Sequence, residues 1–163
     1  MKRLVSVLAL AALVFSVSVS AGSARTSTDR NIVQTAVAAG QFKTLAKLLT
    51  RAGLARTLER PGPFTVFAPT DAAFKKVPKR TLTVLLHDKA KLRRVLLYHV
   101  VAGKVTAADV VKLSSARTVN GRTLRIRVAG STVFVNNAKV TKPDVLATNG
   151  VIHVVNRVLI PPR

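Results

Sequence analysis

The feature that most constrains the fold of this chain is a short segment, residues 65–74, in which an apolar strand pattern turns directly into a helix pattern. Apolar and β-branched residues lead to Pro69, which has no N–H for a strand interior and therefore favours the end of the strand. Thr70 or Asp71 then offers a side-chain oxygen that can cap a helix, and two alanines and Phe74 begin the apolar face of that helix. The segment predicts a buried strand followed at once by a capped helix.

A second motif, near the end of the chain, predicts another buried strand. Asn149 and Gly150 indicate a turn in which glycine can adopt a positive φ, and residues 151–155 follow with a β-branched pattern that ends before Pro161. His153 lies within this apolar pattern, where a histidine more often packs in the core than performs chemistry. We therefore interpret His153 as structural.

The rest of the chain is divided between helices and strands. Apolar residues recur at helical spacing through the first two-thirds of the sequence, and glycines mark the helix ends. In the last third, Leu124, Ile126 and Val128 alternate with Arg125 and Arg127, which predicts a half-buried strand with two arginines on its exposed face. Because helices precede strands instead of alternating with them, the sequence predicts an α+β fold.

Together with the Tyr98-His99 pair that lies between them, the two motifs resemble the signature segments of the fasciclin domain family. The resemblance extends from the region of residue 31 to residue 161. It implies an α+β fold in the form of a wedge-shaped β-sandwich with several helices along one edge. It also implies a secreted adhesion module without catalytic activity, which attaches to a cell surface, the extracellular matrix or another cell. The structural residues of the two motifs are then Thr70, Asp71, Asn149, Gly150 and His153.

The resemblance also implies which residues contact a partner. In animal members of the family, the Tyr-His pair and an aspartate-containing segment before the second motif have been linked to binding of cell-surface receptors. In this chain the corresponding residues are Tyr98 and His99, and Pro143, Asp144 and Val145, in a segment that leads out of the preceding strand. The expected partner is a cell-surface protein, a matrix protein or a glycan. The alternative is that Tyr98 and His99 are buried and hold the sheet together.

The N-terminus has the pattern of an export signal. Lys2 and Arg3 precede an apolar run over residues 4–19, and small residues suited to cleavage follow. An uncleaved membrane anchor is the alternative, but the run is short and interrupted by serines, whereas a membrane span needs about 20 apolar residues. We therefore expect a signal peptide over residues 1–24, one domain over residues 25–163 and no later transmembrane span. The expected location is extracellular, periplasmic or in the cell envelope.

The chain is strongly basic, with 27 lysines and arginines, 6 acidic residues and a net charge of +21. Residues 1–24 carry two of these cations and no acid, so the other 139 of the 163 residues keep a net charge of +19. Such a charge favours anionic polymers, although it can also serve solubility alone. The alternative function is therefore a cationic protein that binds an acidic polysaccharide, an envelope polymer or extracellular DNA. The candidate residues for this function are Lys43, Lys47, Arg51, Lys75, Lys76, Lys79, Arg80, Arg125 and Arg127.

Specific recognition of nucleic acid is not expected. The chain has no tryptophan and one tyrosine, and its phenylalanines occupy apolar positions. The sequence therefore offers no aromatic platform on which bases could stack.

Groups for catalysis or metal binding are scarce. Asp71 with His99 is the pairing that suggests a general base, but the chain has no cysteine and no serine in a strand-to-helix elbow to act as nucleophile. The alternative is that Asp71 caps its helix and His99 lies at the edge of the core. The three histidines lie in separate elements without the spacing of zinc ligands, and the sequence contains no glycine-rich phosphate loop. We predict no enzymatic activity, no metal and no cofactor.

Overall fold

The computed structural model describes residues 29–162. The predicted signal peptide, residues 1–24, and the start of the predicted domain at residue 25 lie outside the described residues. Within the described range, no helix combines the length and the hydropathy needed to cross a membrane. The elements of this range are, in order, α1 (Ile32–Ala38), α2 (Lys43–Ala52), α3 (Ala55–Glu59), β1 (Phe64–Pro69), α4 (Asp71–Lys75), α5 (Lys79–His87), α6 (Lys89–Tyr98), β2 (Val100–Ala102), α7 (Ala107–Val110), β3 (Ser115–Arg117), β4 (Thr123–Ala129), β5 (Thr132–Val135), β6 (Ala138–Ala147) and β7 (Gly150–Val155).

The seven strands form one mixed sheet in the order β2-β1-β7-β6-β5-β4-β3. β1 and β7 pair in parallel, and the other neighbouring strands pair antiparallel. The two ends of the sheet meet, because Val101 bridges Thr118 and the N–H of Val119 donates to the carbonyl of Val100 at 2.8 Å. The sheet therefore curls until it nearly closes into a barrel. The predicted α+β fold, with most helices before most strands, is confirmed.

Two apolar cores lie on opposite faces of the central strands. The larger core packs helices against the sheet and includes Val66 and Ala68 of β1 and Val154 of β7. The smaller core takes Phe67 of β1 and Val155 of β7, together with residues from β2, β4, β5 and β6. Successive residues of a strand point to opposite faces, so β1 and β7 are buried on both sides. This double burial explains the continuous apolar character of the two sequence motifs.

Gly150 is required by the close approach of two backbones at the start of the parallel pair. It lies opposite Phe64 in the register, and a Cβ built on Gly150 would lie 1.9 Å from the Phe64 carbonyl oxygen. Its φ is 159°, near the extended region. The sequence predicted that Gly150 can adopt a positive φ, which it does, and the structure adds steric exclusion by Phe64 as a second reason for glycine at this position.

Two strands differ from the prediction. In β4, Leu124 and Ile126 are buried as expected, but Val128 is 43% exposed, because the core that covers the strand ends before it. Residues 142–146 were predicted to lead out of a strand. They lie within β6, which continues to Ala147 through shifts of register on either side of Lys142. These shifts are bulges, which keep the strand paired while they push residues outward.

Candidate binding site

Tyr98 lies at the end of α6 inside the smaller core, with 1% of its surface exposed. Its hydroxyl donates to the carbonyl of Thr123 at 3.3 Å and accepts from the side-chain amide of Asn136 at 3.0 Å. The ring fills the core while the hydroxyl joins α6 to β4 and to the turn after β5. In this position Tyr98 is not accessible to a partner, which agrees with the alternative that it holds the sheet.

His99 is also buried, with 2% of its surface exposed. Its Nδ1–H donates to the carbonyl of Val95 at 2.7 Å, and its Nε2 accepts from the backbone N–H of Leu159 at 2.9 Å. Burial lowers the pKa of His99 to about 4, although the bond to Val95 opposes this effect. A neutral ring with both nitrogens occupied is a structural link, and it leaves no nitrogen for a partner or for general base catalysis.

Asp71 has a different role from the one predicted. The oxygen that caps α4 comes from Thr70, whose hydroxyl accepts from the N–H of Ala73 at 3.2 Å. The carboxylate of Asp71 accepts from the backbone N–H groups of Thr44 at 2.8 Å and Lys43 at 3.3 Å, so it caps the neighbouring helix α2. The bond from the Thr44 N–H is the main cause that lowers the pKa of Asp71. The hypothetical pair of Asp71 with His99 does not form, because each group is bonded elsewhere.

The predicted adhesion residues that reach the surface lie within residues 142–146 of β6. We call this segment the β6 bulge. Pro143 and Asp144 are exposed, Leu146 is 45% exposed, and Val145 is half-buried against the larger core. The structure thus brings Pro143, Asp144 and Val145 to one irregular surface segment. It places Tyr98, by contrast, inside the smaller core.

Asp144 fixes the shape of the β6 bulge through bonds in two directions. Its carboxylate accepts from the N–H of Ala107 at 2.8 Å and so holds the first turn of α7. Its own N–H donates to Nδ1 of His153 at 3.3 Å. The backbone of Asp144 has φ of 54°, a left-handed conformation that aspartate tolerates better than most residues.

His153, on the adjacent strand β7, supports the β6 bulge. Its Nε2–H donates to the carbonyl of Val105 at 2.8 Å, and its ring stacks on Phe67 at 5.4 Å between centroids. Burial lowers the pKa of His153, while the bond to Val105 and the charge of Asp144 oppose this shift. The sequence predicted a packing role for His153 but gave no sign of the bond to Asp144, since that bond depends on the shift of register in β6.

Asn149 joins the turn before β7 to two helices. Its side-chain oxygen accepts from the N–H of Ile32 at 2.9 Å, and its amide donates to the carbonyls of Leu58 and Arg60. The side chain is buried and holds the beginning of α1 and the end of α3 against the sheet. Its placement agrees with a structural role.

The nine predicted polyanion-binding cations are all exposed, and they lie on three parts of the fold. The first is the outer face of α2, the second is the junction of α4 and α5, and the third is β4. The ammonium of Lys76 donates to the carbonyl of Asn156 at 3.2 Å. The guanidinium of Arg127 lies 4.9 Å from the ring centre of Phe134 on the adjacent strand. The structure places all of these cations on the surface. The first two groups lie on neighbouring helices, because the N–H of Lys43 donates to Asp71 at the start of α4.

Four of the six acidic residues bond to helix N-termini. Besides Asp71 on α2 and Asp144 on α7, Asp88 accepts from the N–H of Lys91 at 3.0 Å, and Asp109 accepts from the N–H of Thr106 at 3.1 Å. Within residues 29–162 one ion pair is present, between Asp88 and Lys91 at 3.2 Å. The cap by Asp88 and the role of Asp109 were not predicted, although Asp is a residue type suited to an N-cap and Thr106 with an acid three residues later resembles a capping box.

Across residues 29–162, no group of three or more histidines, aspartates or glutamates is placed to hold a metal ion. The chain contains no cysteine.

Comparison with known proteins identifies the family. The protein-family model of the fasciclin domain matches residues 40–161 of this chain. An uncharacterized protein of Synechocystis sp. is 47% identical over 130 residues, which cover 80% of this chain and 97% of that protein. Transforming growth factor-beta-induced protein ig-h3 of Sus scrofa is 37% identical over 122 residues, which cover 75% of this chain but 18% of the relative. The fold is similar to a solved FAS1 domain pair from the insect cell adhesion molecule Fasciclin I, with a TM-score of 0.70, 20% identity, and coverage of 82% of this chain and 52% of the other.

Proposed function

The chain belongs to the fasciclin domain family, and from this membership we propose that it is a secreted, non-catalytic module that attaches to a cell surface, the extracellular matrix or another cell. The solved FAS1 domain pair, which shares the fold, comes from a cell adhesion molecule. The larger relatives contain regions similar to this chain within much longer proteins, which is consistent with a unit of attachment. A non-catalytic role is supported by the two buried histidines, whose ring nitrogens are all engaged in structural bonds.

The observation that carries this proposal is the rigid presentation of the β6 bulge. Asp144 is bonded through both its carboxylate and its N–H, and Val145 packs against the larger core. Pro143 and Leu146 are left facing solvent on a backbone that is already held in place. A surface with few conformations to lose binds a partner at lower entropic cost than a flexible loop does. The exposed apolar side chains favour a protein partner of the cell surface or matrix.

The test is a binding screen of the purified protein against matrix proteins, cell-surface proteins, and charged and neutral glycans at physiological salt. The double variant Pro143→Ser and Leu146→Ser removes apolar surface from the bulge but leaves Asp144 and Val145 intact. The matched control is Val128→Ser, because Val128 is 43% exposed on a different strand. We expect a partner whose binding falls at least tenfold in the double variant and is unchanged in the control. A partner that binds the double variant as well as the wild type would show that attachment uses another surface.

A second candidate function, binding of anionic polymers, is supported by the distribution of charge. Four of the six carboxylates are engaged at helix N-termini, and a single ion pair is present in the described range. Most lysines and arginines therefore keep their full attraction for external anions. The partner would be an acidic polysaccharide, an anionic envelope polymer or extracellular DNA bound without sequence preference. This function is compatible with attachment, since the cations on α2 and the β6 bulge are on different elements.

A further inference from the structure

A cavity of about 490 Å³ lies between α5, α6, the turn from β3 to β4 and the C-terminal segment after β7. We call it the α5–α6 groove. It is separate from the β6 bulge and shares no lining residue with it. Its volume falls within the range of about 300–1,000 Å³ that is usual for small-molecule sites.

Apolar residues make up part of the groove lining, and we call five of them the floor. They are Val84 and Leu85 of α5, Val95 of α6, and Ile160 and Pro161 of the C-terminal segment. Val84 is 46% exposed and Ile160 is 49% exposed, so apolar surface remains open to solvent within the groove. A ligand that covers these side chains would bind about fourfold more tightly for each methylene that it buries.

Three exposed cations also line the groove, and we call them the rim. They are Lys91, Arg94 and Arg122, and no carboxylate of the described residues lines the groove. Lys91 is paired with Asp88 at 3.2 Å, whereas Arg94 and Arg122 have no ion-pair partner among the described residues. The rim therefore has two free guanidinium groups, which are donors suited to a carboxylate.

Arg122 extends into the groove region from a fixed backbone. Both the N–H and the hydroxyl of Thr118 donate to the carbonyl of Arg122, at 2.9 and 2.7 Å, which holds the turn from β3 to β4 in place. Asn120 of the same turn also lines the groove, but its side-chain nitrogen has no surface that a ligand could reach. The polar anchors available to a ligand are therefore the arginines.

From the apolar floor and the cationic rim, we propose that the α5–α6 groove binds a single-chain anionic amphiphile of the fatty-acid type. The carboxylate would lie between Arg94 and Arg122, and the alkyl chain would cover Val84 and Ile160. All strongly polar groups on the rim are donors, so an acceptor-rich headgroup is favoured over an amine or an alcohol. This inference does not rest on the proposed adhesion function.

The test is isothermal titration calorimetry with octanoate, decanoate and 1-octanol, at concentrations below micelle formation and at about 150 mM salt. We expect decanoate to bind about tenfold more tightly than octanoate because two more methylenes are buried. We expect 1-octanol to bind at least tenfold more weakly than octanoate. Vesicles that contain anionic lipid serve as a comparison, because the groove is proposed for monomeric amphiphiles.

Substitutions distinguish binding in the groove from attraction by the net charge of the protein. The double variant Arg94→Gln and Arg122→Gln should weaken decanoate binding at least tenfold, and so should Val84→Glu, which introduces a like charge on the floor. The matched control is Arg56→Gln with Arg117→Gln, which removes the same charge at two exposed arginines outside the groove. Thermal unfolding of each variant checks that the fold is kept.

Four results would overturn the proposal. The first two are an equal loss of decanoate binding in the groove double variant and the control double variant, and equal affinities for octanoate and decanoate. The other two are binding of 1-octanol as tight as that of octanoate, and binding of the protein to anionic vesicles without binding of monomeric decanoate.

Discussion

His99 accepts a hydrogen bond from the backbone N–H of Leu159 at 2.9 Å, across a separation of 60 residues in the chain. The other ring nitrogen donates to the carbonyl of Val95 one helical turn earlier, which fixes the tautomer with the proton on Nδ1. The C-terminal segment is thereby joined to the end of α6. A proton on Nε2 would face the Leu159 N–H and break this link, so the arrangement needs a neutral ring.

The neutral state of His99 predicts how stability depends on pH. Burial lowers the pKa of His99 to about 4, whereas an unfolded histidine titrates near 6.5. Between these values the unfolded chain binds the additional proton, so the free energy of unfolding falls as the pH falls from about 6.5 to about 4. The loss from this residue should be about 3 kcal/mol, and His153, whose pKa is also lowered, should add to it in the same direction.

Denaturant unfolding at several pH values between about 7.5 and 4 measures this effect. His99→Gln should unfold more readily at neutral pH, and its stability should fall less steeply on acidification than that of the wild type. If the variant and the wild type lose stability in parallel, the buried neutral ring is not the source of the acid sensitivity.

Asp71 should stabilise the protein through α2 and not through its own helix. Asp71→Ala removes the acceptor for the N–H groups of Thr44 and Lys43, and we expect a loss of about 1 kcal/mol in the free energy of unfolding. Thr70→Ala removes the cap of α4 and should cost a similar amount. Hydrogen exchange distinguishes the two variants, because Asp71→Ala should increase exchange in the first turn of α2. Increased exchange in α4 alone would contradict the assignment.

Gly150 should not tolerate a side chain. The Cβ of Gly150→Ala would lie 1.9 Å from the carbonyl oxygen of Phe64, and this oxygen belongs to a central strand that cannot move freely. We expect a loss of more than about 2 kcal/mol in the free energy of unfolding, or failure to fold. Gly130→Ala is the control, because its Cβ would meet no atom within 4 Å and its cost arises only from a φ of 61°. Equal destabilisation by the two substitutions would contradict the steric explanation.

The parts of the fold that were predicted from sequence are those in which the cause is local. The strand that ends at Pro69 and a side-chain cap at the start of α4 depend on neighbours a few residues away, and both were visible in the pattern, which left open whether Thr70 or Asp71 supplies the cap. The burial of β7 also followed from its β-branched sequence. Local signals of this kind do not need knowledge of the tertiary structure.

The parts that were not predicted depend on contacts between distant segments. Asp71 has a residue type suited to capping its own helix, but its partner Thr44 lies 27 residues earlier in the chain. The β6 bulge is created by shifts of register against β7, and no composition signal marks them. For the same reason the sequence left open whether Tyr98 meets a partner or fills the core, a choice that depends on how closely the sheet curls around it.

Binding through the β6 bulge and binding of anionic polymers through the α2 cations should respond differently to charge reversal and to salt. Lys43, Lys47 and Arg51 lie exposed along α2, and their reversal to glutamate should strongly reduce binding to an acidic polysaccharide such as heparin. Affinity for such a polymer should also fall steeply between about 50 and 200 mM salt, because each phosphate or sulfate that is neutralised releases counterions. A control with the same change of net charge is the triple reversal of Arg56, Lys104 and Lys112, which are exposed outside α2.

A partner that binds through the β6 bulge should respond differently, because desolvated apolar contacts depend little on salt. Its affinity should survive both the rise in salt and the reversal of the α2 cations, and it should fall when Pro143 and Leu146 are replaced. If the control reversal weakens polymer binding as much as the α2 reversal does, the net charge and not the α2 surface is responsible. If every ligand is lost at high salt and in the α2 variant, attachment through the β6 bulge is wrong and binding of anionic polymers is the function.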